Sequence, residues 1–273
     1  MFTGELRMLN EYLVMVRIFI ALLFLIWFSI LDYRTRDIPD KYIWIWGGIS
    51  IFSFIASLIL YRNVLSWFII YTLLSLMIGP GLFGLLSYFE LMGWADFFTI
   101  LWITLMFPIP DIYLVNLVHV PLFFHFPPII PIILYSSLSI ALIALFRGLY
   151  SFVRYRKMMP PNASTRDKIA LLFTGRAVSV KNYLNMKHYY PLTIPKVEDG
   201  NVVFKIRRSF DIYEEYEDYQ RELKKLLDNG LIKPEDKIWV TYGIPFILPL
   251  LLGFIFTVLV GDAPLLYLLM IIR

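Results

Sequence analysis

The chain has 273 residues, 59% of them hydrophobic, 18% aromatic and only 17% charged, with a formal net charge of +4. A soluble domain of this length has too little interior to hide so much apolar surface, so a membrane protein is expected. It has no cysteine, which excludes disulfides, thiolate metal sites and a cysteine nucleophile.

A crossing helix needs about 20 apolar residues. The first eleven residues carry both charge signs and lead into a run of full span length, so a secretory signal is not expected. Spans are expected over 13–31, 42–60 and 64–86, with a short break at 87–95. A fourth starts near Asp96 and continues past Phe107, interrupted at Pro108 and Pro110. Six prolines between Pro108 and Pro131 mark an irregular loop or broken helix. A fifth span covers 129–149 and a sixth 244–260; the apolar tail 263–273 is too short to cross again and is expected against the membrane or the bundle.

Residues 150–240 differ, carrying most of the charge. They read as a soluble insert with a strand at 202–206 and an amphipathic helix at 211–228, stopped by Asn229-Gly230. Residues 237–240 read as a strand or a lead into the last span. The expected architecture is an all-α polytopic membrane protein. It has six transmembrane helices and a small α+β cytosolic insert before the last helix. Its parts are 1–149 with five spans, 150–240 as the insert, and 241–273 as the sixth span and tail.

Orientation follows from lysine and arginine. If the end of the first span faces the cytosol, Arg34, Arg36 and Lys41 lie inside, as do the eighteen basic residues from Arg147 to Lys237. Only Arg7, Arg17, Arg62 and Arg273 fall outside. The basic excess is thus explained by orientation, and nucleic acid is not required as a partner.

Two aspartates stand at the ends of apolar runs, Asp32 closing the first and Asp96 opening the fourth. A carboxylate at the edge of hydrocarbon is costly and marks a functional site by default. Taken singly, either reads as a helix end or a cap. Taken together, on different helices at one membrane face, they read as an aspartyl catalytic pair. Two carboxyls in one site share a proton. One acts as base on a water while the other polarises a peptide carbonyl.

Around them, Gly93 permits a tight turn or close helix approach, Pro39 suits the start of the second helix, and Arg34 and Arg36 suit lipid headgroups. Asp37, Asp40 and Glu90 are either solvated loop charges or contacts for a basic substrate. Tyr42, Trp44 and Trp46 read as an interfacial aromatic belt. His119 and His125 flank the proline-rich segment with no carboxylate cluster nearby in sequence, so no metal is assigned. Asn162-Ala163-Ser164 matches a glycosylation sequon by chance on the cytosolic side.

The motifs resemble those of the archaeal preflagellin and prepilin peptidases, membrane aspartyl proteases of the GxGD class. The resemblance rests on Leu31-Asp32-Tyr33-Arg34 followed by Asp37-Ile38-Pro39, and on Gly93-Trp94-Ala95-Asp96. It also rests on the stretch from Trp239 to Phe246 leading to Gly253. It implies Asp32 and Asp96 as the catalytic residues, with Gly93, Ala95 and Pro39 supporting the motifs and no cofactor. It implies removal of short basic leaders from archaellin or pilin precursors at the cytosolic face of the cell membrane. Ala95 stands where the motif more often has glycine, and Trp94 is bulkier than the usual residue. The alternatives are a proton-coupled carrier using the aspartates as a relay, and a silent partner of a pilus machine. Precursor identity and oligomeric state are not legible in the sequence.

Overall fold

The structure, a computed structural model, describes residues 4–114, 120–121, 124–160, 163–198, 201–208, 214–243 and 245–272. His119, Asn162, residues 211–213 and Ile244 lie outside these. The chain forms two compact units, Met1–Ile140 with Pro245–Arg273, and Ala141–Ile244.

In the first unit, α1 (Gly4–Thr35) turns Val14, Ile18, Ala21, Leu25 and Phe28 inward, a stripe with helical spacing. Its other face is equally apolar: Phe19, Leu23, Ile26 and Ile30 are exposed. A helix apolar all round belongs in a bilayer. In α2 (Asp40–Leu60) the inward positions are Ile43, Trp46, Ser50, Ser53 and Ser57. Small serines at such a seam let neighbouring helices approach closely. Trp46, expected in an interfacial belt, is instead fully buried and stacked on Phe24 at 5.3 Å, because its position falls on the inward stripe.

The third apolar segment is α3 (Leu65–Leu76), one π turn at Met77–Gly81, and α4 (Leu82–Tyr88). Pro80 lies inside that turn and lacks the N–H a regular helix would use. Next, α5 (Trp94–Met106) stops short of the expected continuation past Phe107. Its 13 residues rise about 20 Å at roughly 1.5 Å each, less than a hydrocarbon core of about 30 Å. The chain continues irregularly, with Phe107, Ile109 and Ile112 buried. Then comes α6 (Ile129–Tyr155), and after the second unit the chain continues with α10 (Ile247–Val260) and α11 (Ala263–Ile272).

Among the described residues, four helical stretches are long and apolar enough to cross a membrane: Asn10–Thr35, Asp40–Leu60, Arg62–Tyr88 and Ile129–Met158. A fifth is counted if α10 and α11, bent by 70° at their junction, form one broken span. Gly261 makes that bend with φ +65°, a left-handed conformation glycine takes without strain. The tail helix packs Ala263 and Leu266 against Val120 and Phe126. Within the first unit α10 crosses α6 at Gly253, where an added Cβ would sit 2.5 Å from the Ile132 carbonyl oxygen.

The second unit holds α7 (Thr165–Thr174), β1 (Gly175–Ser179), α8 (Val180–Tyr183) and β2 (Tyr189–Pro191). It continues with β3 (Thr193–Glu198), β4 (Asn201–Ile206), α9 (Tyr216–Asp228) and β5 (Lys237–Tyr242). The antiparallel sheet runs β1-β5-β2, with β3 and β4 as a separate hairpin. The central strand, β5, reads Ile238-Trp239-Val240, and all three side chains are buried. Val180, Tyr183, Leu223 and Ile232 complete its core, and burial pushes the Tyr183 phenol up. The expected helix at 211–228 is described from Tyr216, and Gly230 ends it with φ +70°. Helix α7 begins with a capping box in which Ser164 and Asp167 satisfy each other's backbone amides. That hydroxyl chiefly, with Arg208 at 2.8 Å, holds the Asp167 carboxyl below its ordinary range.

Candidate active site

Asp32 lies in the last turn of α1, and Asp96 in the first turn of α5. Apolar stripes dock these helices into one core with α10, and that packing brings both carboxylates to the same end of the bundle. Both side chains are half-buried. Each carboxylate also meets a helix N-terminus, where amides have no partner within the helix and the dipole favours an anion. The Ile247 amide, first in α10, donates to Asp32 Oδ2 at 3.3 Å. Asp96 folds back on the Gly93 amide at the start of α5.

The motif residues take places the sequence did not foresee. Gly93 adopts φ −72° and ψ 149°, a conformation open to any residue. The tight turn expected there is made instead by Glu90, with φ +58°. Gly93 does leave space, since an added Cβ would stand 3.6 Å from Asp96 Oδ2. Trp94 is half-exposed and meets Phe97 edge-on at 5.6 Å, within an aromatic group that includes Phe98 and Trp102. Its bulk is accommodated because that ring finds an aromatic surface. Ala95 is half-buried, and its carbonyl accepts the Thr99 hydroxyl at 2.8 Å. Pro39 immediately precedes α2. Asp37, Asp40 and Glu90 are exposed in the connections next to the two aspartates.

Arg36, assigned from sequence to lipid headgroups, is half-buried just past the end of α1. Its backbone has left the helix, with φ +59°, and its Nε is sealed from solvent. Two further polar networks were not legible at all. Arg17 pairs with Asp111 at 2.7 Å and donates to Ser57 Oγ and the Met106 carbonyl. His125 Nδ1 lies 2.8 Å from Asp262 Oδ1, while Asp262 Oδ2 accepts the Phe126 amide. Both pairs are buried; Asp111 follows the C-terminal end of α5 and Asp262 that of α10, away from Asp32.

The fold and site define a polytopic membrane protein with a carboxyl pair where three helix ends meet. Residues 167–263 match the family described as Archaeal Peptidase A24 C-terminus Type II, a stretch from α7 to the start of α11. That stretch is similar to the C-terminal part of the archaeal A24 peptidases, which supports a prepilin-type peptidase reading of the chain. The curated proteins compared with the chain include no match. The matched stretch contains neither Asp32 nor Asp96, so the roles of the two carboxylates rest on their chemistry and geometry.

Proposed function

We propose that the protein is a membrane aspartyl endopeptidase of the GxGD type. It removes the short basic leader from archaellin or type IV pilin-like precursors. The observation that carries this reading is the placement of two half-buried carboxyls, Asp32 and Asp96, at the same end of an apolar bundle. The family match to residues 167–263 supports it from an independent part of the chain.

The pair shares one proton and holds a water between its carboxyls. The ionised member takes a proton from that water as its oxygen attacks the peptide carbonyl. The protonated member gives its proton to the carbonyl oxygen. Collapse of the tetrahedral intermediate passes a proton to the leaving amine. With the end of α1 on the cytosolic side, as the basic residues Arg34, Arg36 and Lys41 favour, this site faces the cytosol. Asp37, Asp40 and Glu90 then stand ready to meet a basic leader.

The test uses membranes carrying the full chain and a leader-bearing pilin. Wild type shortens the pilin; Asp32→Asn and Asp96→Asn each abolish the shortening. Processing that survives either substitution refutes the two-aspartate mechanism. Proton-coupled uptake without any shortened product establishes the carrier reading in its place.

A further inference from the structure

Between Ala141 and Thr174, at the start of the second unit, the chain carries six basic residues and one acidic residue. The acid, Asp167, is taken up by the α7 cap and by Arg208. The basic residues are Arg147, Arg154, Arg156, Lys157, Arg166 and Lys168, and all but Arg147 are exposed. By contrast α9, in the same unit, opens on Glu217 and Asp218. Charge of one sign gathered on neighbouring segments favours an anionic partner.

The same segment leaves apolar side chains uncovered. In α7 only Leu171 turns fully inward, onto Ala177, Leu192 and Trp239. Ile169 and Phe173, spaced to share a helix face, stay exposed beside Arg166 and Lys168. The end of α7 is fastened to α6. An added Cβ at Gly148 would stand 2.7 Å from the Phe173 ring. The Ser151 hydroxyl donates to the Gly175 carbonyl at 3.0 Å, and the Trp239 indole N–H donates to the Met158 carbonyl at 3.1 Å. These ties hold α7 against a stretch, Ile129–Met158, that is long and apolar enough to cross a membrane. Gly148 precedes the end of α6 at Tyr155 by about 10 Å along the axis. Around it Leu145, Phe146, Leu149 and Val153 are exposed, as lipid-facing residues of a span would be. Phe173 is thus held beside the apolar end of that span.

We propose that this face of α7 docks the second unit on the membrane leaflet in which α6 ends. Ile169 and Phe173 enter the interface, and the basic side chains around them bind the phosphates of anionic lipid headgroups. A helix lying on a membrane is held by its apolar face together with the attraction of its basic residues to anionic lipid. Two apolar side chains are few for such a helix by itself. The ties to α6 make up the difference, because a tethered face meets the bilayer at high effective concentration. Arginine and lysine suit the position, since their apolar stems lie along the interface while their charge reaches the headgroups. Arg156 already rests over the Phe152 ring at 5.7 Å. The bilayer is the occupant because this face continues the lipid-facing surface of α6. The peptidase reading plays no part in the inference.

The experiment measures depth in the bilayer. The chain has no cysteine, so Ile169→Cys, Leu145→Cys and Lys224→Cys each give the full chain one site for a nitroxide label. All three side chains are exposed, Leu145 on α6 and Lys224 on α9. The labelled chains are placed in vesicles of phosphatidylcholine with or without phosphatidylglycerol. Access of oxygen, which concentrates in hydrocarbon, is compared with access of a water-soluble nickel chelate. In the anionic vesicles the oxygen-to-nickel ratio at 169 should be several-fold above that at 224 and approach that at 145. It should fall toward the value at 224 in neutral vesicles, at high salt, and when Arg166→Gln and Lys168→Gln are added. A ratio at 169 equal to that at 224 in anionic vesicles overturns the docking. Shielding of 169 from both reagents overturns it as well, because protein then covers the face. A high ratio at 169 that ignores lipid charge, salt and the double substitution overturns the headgroup contact. No cleavage is measured, so failure here leaves the peptidase reading untouched.

Discussion

Replacing Gly253 with alanine should damage the bundle out of proportion to the single methyl group added. The new Cβ would overlap the Ser136 hydroxyl, and it would stand 2.5 Å from the Ile132 carbonyl oxygen and 2.8 Å from the Ser136 amide. A serine hydroxyl can rotate away. A carbonyl and an amide inside α6 cannot move unless the helix moves, so α6 and α10 must separate. Overpacking of this kind costs about 1–3 kcal/mol, and a backbone obstacle places Gly253→Ala at about 3 kcal/mol. At about 2–4 °C per kcal/mol for a chain of this size, the melting temperature falls by roughly 6–12 °C. The assay is thermal unfolding in detergent. Gly48→Ala is the matched control, since an added Cβ there meets nothing within 4 Å. That substitution should be neutral or stabilising by up to ~1 kcal/mol through helix propensity. Equal melting temperatures for Gly253→Ala and wild type refute the close crossing. Adding Ser136→Ala should restore little, because the carbonyl remains.

Arg17→Met leaves Asp111 buried and unpaired, which should cost about 3–5 kcal/mol; the double variant Arg17→Met/Asp111→Leu should recover most of it in the same melts. If the double variant melts as low as the single one, the pair is not the source of the loss. Asp262→Asn weakens the contact with His125 and the Phe126 amide, and amide exchange should quicken in 124–130 before it does in α1. Uniform quickening across the bundle argues against a local tie. In the insert, the Asp167 carboxyl is held below its ordinary range. Its contribution is therefore present above the unfolded value and is lost as pH falls through the folded one. Asp167→Asn should quicken amide exchange in α7 near neutral pH, with a difference from wild type that shrinks in strong acid. A difference independent of pH refutes the carboxylate's part in the cap.

The local character of most segments was legible because helix and strand impose their periods on the chain. The inward stripe of α1, the strand at 202–206 and the Asn229-Gly230 stop needed only neighbouring residues to be read. The two aspartates were also legible, since a charge beside a long apolar run is conspicuous whatever the fold. The length of α5 was not, because Phe107, Ile109 and Ile112 continue an apolar pattern while their backbone leaves the helix. Nor was the inward turn of Trp46, which depends on which face of α2 meets α1.

The residues alone determined that this chain belongs in a membrane, that its charge is gathered in one insert, and that Asp32 and Asp96 stand apart from their surroundings. Those properties follow from composition and from spacing along a helix, which act over a few residues. Only the tertiary structure decided what each charge meets. Asp32 finds the Ile247 amide 215 residues away, Arg17 finds Asp111, and His125 finds Asp262. Partners so distant in sequence leave no local pattern, because what joins them is the packing of helices and not the period of any one.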